Sequence, residues 1–155
     1  NHSNIHYKIK LLSDDIKEYK FFRMQSGSSI YEEQTDYPRD IVYINSSTLS
    51  LEINDEIKKS NNNLIKIDSQ GSEIKILKGL GQFINSFEVV ILEVSLHQYN
   101  RDAPLFNEIN EFMISKDFRL YDIFDLKRLG NNKSFLVQFD CVFIRRDSNL
   151  LNVKF

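Results

Sequence analysis

The chain has 155 residues, of which 41% are hydrophobic and 27% charged, enough apolar material for one globular domain with a sizeable core. Its net charge is −2, with Lys and Arg scattered among Asp and Glu, so it lacks the basic face that binding to a phosphate backbone needs. Nucleic acid is not an expected partner. The only cysteine, Cys141, has no internal disulfide partner and lies beside Val142 and Phe143, the setting of a buried, inert thiol in a reducing, cytoplasmic protein. No run approaches the roughly 20 apolar residues of a membrane span, and no signal peptide is expected.

In chain order, residues 7–12 alternate apolar and polar and end at Ser13-Asp14-Asp15, which predicts a strand closed by a turn. A second strand is expected over 18–23, a small-residue loop at Gln25-Ser26-Gly27-Ser28-Ser29, an irregular exposed stretch over 32–39, and a short strand over 41–44. Residues 50–59 read as a short helix before the turn Asn61-Asn62-Asn63. The run Leu64-Ile65-Lys66-Ile67 then predicts a strand, Ile74, Leu77 and Ile84 share a helical face, and Val89-Val90-Ile91-Leu92 predicts a central strand covered on both sides. Strand, helix and strand within about 30 residues is the size of a βαβ unit.

Beyond that unit, Asp102 is placed to cap a helix with Pro104 in its first turn, and Leu105, Phe106, Ile109, Phe112 and Met113 form its apolar stripe. Residues 119–124 and 135–145 predict an antiparallel pair around the Gly130-Asn131-Asn132 turn. The expected architecture is a single mixed α/β domain.

Chemistry is expected where strands end. Asp68 and Glu93 each follow a buried strand, so both carboxylates emerge at the sheet edge where open α/β folds bind ligands; helix capping or solvation of a strand end is the competing reading. His97 and Tyr99 lie in the loop after Glu93, and His97 is a candidate base near neutral pH, although a lone loop histidine is more often structural. His2 and His6 form no metal-ligand pattern, so no metal is expected. Gly79-Leu80-Gly81 reads as a helix end and Ser26-Gly27-Ser28-Ser29 as a turn, not as phosphate cradles.

The block Ile65-Lys66-Ile67-Asp68-Ser69-Gln70-Gly71-Ser72-Glu73, continuing through Leu77-Lys78-Gly79, resembles the signature of the FkbM family of methyltransferases. Glu93-Val94-Ser95, Ala103-Pro104-Leu105-Phe106, residues 138–143, Leu12-Ser13-Asp14 and Gly27-Ser28-Ser29-Ile30-Tyr31 are similar to further family blocks in the same order. The resemblance implies a Rossmann-like class I sheet, mostly parallel with a reversed last strand. It also implies methyl transfer from S-adenosylmethionine, commonly to a hydroxyl of a sugar, glycan or natural product.

Carried onto this chain, the resemblance places Asp68 and Gln70 beside the sulfonium end of the cofactor and Asp14 near its adenine. Glu73, Glu93, His97 and Tyr99 then line the acceptor side, with Asp68 or His97 as the base. Two departures stand beside it: the family's glycine-rich cofactor loop and acidic ribose ligand have no counterpart here, and Ser50 stands where the family often has Asp. The chain opens at Asn1 without an initiator Met, so the expectation is a carboxy-terminal portion whose upstream strands complete the pocket and which binds cofactor weakly by itself. A non-catalytic α/β binding or scaffold domain is the alternative, with a receiver-like module using Asp68 as a third reading.

Overall fold

A computed structural model of the chain describes residue 5 and residues 7–53, 55–60 and 62–152. His2 and His6 lie outside them, as does Asn61 of the expected turn. Among the described residues, seven strands form two sheets. In the first, β1 (Leu11–Ser13) runs parallel to β3 (Asp40–Thr48), which pairs antiparallel with β2 (Glu18–Arg23). In the second, β4 (Asn63–Ile67) is parallel to β5 (Phe87–Ser95), and β7 (Phe135–Arg145) is antiparallel both to β5 and to the edge strand β6 (Phe118–Leu129).

The protein is therefore mixed α/β and has the expected reversed last strand, β7, but its strands divide between two mixed sheets where one mostly parallel, Rossmann-like sheet was expected. In the larger sheet only the β4–β5 pairing is parallel: β7 alone runs against the others, and because it lies between β5 and β6 both of its pairings are antiparallel, while β6 points the same way as β4 and β5. The first strand is shorter than expected: Tyr7 and Ile9 are 88% and 92% exposed, so their alternation has no core to face.

The helices are short. Residues 49–59 form two pieces, α1 (Leu49–Glu52) and α2 (Asp55–Lys59), where one helix was expected. Helix α3 (Glu73–Lys78) follows β4, and α4 (Phe106–Ser115) follows β5. Asp102 does not cap α4. It lies in the preceding loop at φ 62°, Pro104 keeps Ala103 out of the helical region, and the helix starts after Leu105, whose N–H is capped by the Glu108 carboxylate at 2.9 Å.

One face of the larger sheet is packed. Ile67, Val90, Leu92, Val94, Phe139, Cys141 and Phe143 meet Ile76 and Leu77 of α3 and Ile109 and Met113 of α4, the core of the molecule. The Cys141 thiol is fully buried, which pushes its pKa up to about 12. The expectation that β5 is covered on both faces is corrected: Val89, Ile91 and Val142, on the face away from α3 and α4, stay half-buried, and Leu64 is exposed. No described helix is long and apolar enough to cross a membrane.

The smaller sheet touches α3 closely. A Cβ on Gly79 would lie 2.3 Å from the backbone oxygen of Ser13, so the absence of a side chain lets β1 lie against the end of the helix. Asp14, the residue after β1, meets the same helix through Lys75 at 3.4 Å.

Candidate active site

The parallel register of β4 and β5 places Ile67 opposite Leu92, so Asp68 and Glu93, one residue on in each strand, are neighbours at the carboxyl end of the sheet. The two differ in environment. Asp68 is exposed, whereas Glu93 is 2% exposed on the sheet face away from α3 and α4. A carboxylate so deprived of water needs charged or hydrogen-bonding partners, and Glu93, with the Asp68 carboxyl beside it, finds them in Gln70, Gln138 and Lys127. Gln70 Nε2 donates to its Oε2 at 2.7 Å, Gln138 Nε2 donates to the same oxygen at 3.2 Å, and the Lys127 ammonium contacts Oε1. Burial raises the pKa of Glu93; Lys127 works against that rise, and the nearby Asp68 carboxyl adds to it.

The network continues on both sides. Asp140, the cross-strand partner of Glu93 and equally buried, is paired with Lys66 of β4. The Tyr99 hydroxyl donates to Gln70 Oε1 at 2.5 Å and accepts from Gln138 Nε2 at 2.6 Å, and its pKa is pushed upward, chiefly by burial and then by the charge of Glu93. Tyr99 is thus a proton donor fixed in place, not a base.

Gln70 sits at φ 54°, a left-handed conformation uncommon for a side-chain-bearing residue. The turn is fastened from several directions: the Gln70 carbonyl accepts from Ser29 Oγ at 2.8 Å and from Asn100 Nδ2 at 3.0 Å. Its amide nitrogen also lies 3.4 Å from Asp68 Oδ1, so the Gln70 side chain spans the two acids.

Glu73 is 1% exposed, and its Oε1 accepts from Ser69 N at 3.0 Å, Ser69 Oγ at 3.0 Å and Gly71 N at 3.2 Å. Those bonds tie the turn after β4 to the start of α3; burial still dominates and raises the Glu73 pKa. Asp14 accepts from Ser13 Oγ at 2.9 Å and lies near Lys75. Burial pushes its pKa up, but the hydrogen bonds and Lys75 outweigh burial and hold it below the usual carboxylate value. His97 is exposed, its ring edge-on to Phe135 with centroids 5.8 Å apart, and among the described residues it makes no side-chain hydrogen bond to the Asp68–Glu93 network.

The structure thus gathers Asp68, Gln70, Glu93 and Tyr99 into one network, turns Glu73 inward to the loop, and leaves Asp14 on the other sheet and His97 on the surface. Lys66, Lys127, Gln138 and Asp140 join the network without having been anticipated. For two of them the signal is visible: Gln138 and Asp140 are polar at alternate positions of an otherwise apolar strand, which marks a polar patch on one face.

Residues 1–120 match the methyltransferase FkbM domain. The chain belongs to the FkbM methyltransferase family. Within this methyltransferase domain, the acids at the ends of β4 and β5 occupy two of the blocks through which its sequence resembles the family. No curated protein and no solved structure matches the chain. Among the described residues, no group of three or more His, Cys, Asp and Glu side chains is arranged to hold a metal ion.

Proposed function

We propose that this FkbM domain transfers a methyl group from S-adenosylmethionine to a hydroxyl oxygen of a sugar, glycan or natural product, at the carboxyl ends of β4 and β5. The observation that carries the reading is the pairing of an exposed carboxylate, Asp68, with a buried one, Glu93, at adjacent parallel strand ends.

The donor set suits the cofactor. A sulfonium is a cation, and two acids side by side favour one. A crevice of about 200 Å³ lies between the smaller sheet and the turn that leads from Asp68 into α3, lined among others by Leu11, Leu12, Ser28, Ser29, Ser69 and Ser72. Its mixture of apolar and hydroxyl groups fits part of a nucleoside, and its volume is below the range of roughly 300–1,000 Å³ that encloses a drug-sized ligand. When bound, S-adenosylmethionine supplies an electrophilic methyl carbon.

The chain's own residues then have to orient an acceptor and receive its proton. Asp68 Oδ is the exposed basic atom of the network and takes that proton. Gln70, held by Tyr99, keeps Asp68 in register with Glu93, and Glu73 keeps the turn that carries Asp68 and Gln70 in one shape. His97, beyond the network, is the second candidate base, facing an acceptor from the loop after β5.

The test is transfer of label from [methyl-14C]S-adenosylmethionine to neutral methyl glycosides by the protein as its natural gene encodes it, together with a calorimetric titration of the cofactor. Label in the sugar, reduced at least a hundredfold in Asp68→Ala, is the expected result. A flat binding isotherm for S-adenosylmethionine overturns the reading in favour of a non-catalytic binding domain.

A further inference from the structure

Lys127 reaches Glu93 through an irregularity of the sheet. Phe124 pairs with Asp140, so a regular antiparallel ladder would set Leu126 opposite Gln138 and turn Lys127 to the other face. Instead Lys127 is itself opposite Gln138, and the register returns at once, Arg128 pairing with Leu136. The one-residue excursion is thus confined to the position of Lys127. It carries a conformational cost, since Asp125 adopts a left-handed φ of 49°. Bulges of this kind re-aim side chains, and here the side chain brought round meets a buried carboxylate.

The surroundings leave this task to Lys127. From β4, Lys66 and Asp68 face Glu93, and Lys66 is engaged by Asp140. From β7 come Asp140 and the neutral Gln138, and from the loops the neutral Gln70 and Tyr99. From β6 comes Lys127, itself near Asp125. Among the described residues, Lys127 is the cation in direct contact with Glu93.

We propose that the bulge in β6 exists to place Lys127 as a positioning residue that holds Glu93 as a carboxylate, so that β4 and β5 present two anionic groups to a positively charged ligand. The ligand clause rests on the methyl-donor reading above. The charge on Glu93 does not depend on that reading and is measured without ligand.

Carbon-detected NMR titration of the Glu93 side-chain carboxyl in wild type, Lys127→Met and Lys127→Arg tests the role. Lys127→Met raises the proton affinity of Glu93 at least tenfold, one pKa unit, while Lys127→Arg leaves it within about twofold of wild type. In parallel, calorimetry compares S-adenosylmethionine with S-adenosylhomocysteine, which lacks the methyl group and with it the positive charge on sulfur. In Lys127→Met the preference for the charged ligand falls about tenfold at neutral pH and recovers as the pH rises through the new Glu93 midpoint.

A Glu93 titration unmoved by Lys127→Met, or moved equally by Lys127→Arg, overturns the role of Lys127. A moved titration with an unchanged ligand preference overturns the presentation of charge to the ligand. Failure of both ligands to bind wild type overturns the methyl-donor reading, and the titration still decides whether Lys127 governs Glu93.

Discussion

Tyr99 and Gln70 are joined end to end: the phenol donates to the amide oxygen at 2.5 Å, which turns the amide nitrogen toward Glu93 and, more distantly, Asp68. The orientation of one glutamine thus decides whether two acids are linked. Tyr99→Phe removes the donor to Gln70 and the acceptor for Gln138 Nε2 while keeping the ring. Loss of about 1–3 kcal/mol in urea denaturation is expected. Methyl transfer is expected to fall further than Tyr99→Phe lowers stability, because Gln70 is free to rotate away from Asp68. Equal activity of wild type and Tyr99→Phe in the folded range would show that Gln70 is held by other means.

Gly71 and Gly81 both take positive φ, 106° and 58°, but their surroundings differ. A Cβ on Gly71 would lie 2.6 Å from Ala103 Cβ and 3.2 Å from the Tyr31 ring, whereas one on Gly81 meets nothing within 4 Å. Gly81→Ala is expected to cost about 1 kcal/mol for the backbone alone, and Gly71→Ala about 3 kcal/mol or more because overpacking is added to it. Denaturation midpoints of the two variants measure the difference, and equal losses would contradict the tight seat of the turn against Ala103.

Much of this arrangement is legible in the residues. The strand over residues 18–23 and the hairpin of β6 and β7 follow from local alternation and turn chemistry, and Asp68 and Glu93 become neighbours once two apolar runs are read as adjacent parallel strands. What is not legible depends on long-range pairing. The position of Lys127 is set by a register excursion against β7, which leaves no mark in the local sequence of β6. The inward turn of Glu73 likewise depends on the loop folding back over it, since a glutamate in the first turn of a helix reads as a solvated residue favoured by the helix dipole.

Cys141 is fully exchanged from water into the core, with its thiol pKa raised to about 12 by burial and by Asp140. Native protein is therefore expected to stay unreactive toward a chromogenic disulfide reagent at pH 8 and to react fully in denaturant. Rapid reaction under native conditions would mean that β5 and β7 open at Cys141 without global unfolding.

Glu73 joins the turn after β4 to stability through pH. Burial raises its folded-state pKa above the ordinary 4.5, so the folded protein holds a proton there that the unfolded chain releases. The associated stabilisation is complete below about pH 4.5 and is lost as the pH rises through the higher folded value. Glu73→Gln keeps an acceptor oxygen for Ser69 and Gly71 without a titrating charge. At pH 4 it is expected to lie within about 1 kcal/mol of wild type, and its relative stability should then improve as the pH is raised to 7. Glu73→Ala leaves three donors without their acceptor and is expected to cost about 2–4 kcal/mol throughout. Urea midpoints at pH 4, 5.5 and 7 check both, and parallel pH curves for wild type and Glu73→Gln would show that Glu73 stays charged in the folded protein, its three hydrogen bonds outweighing its burial.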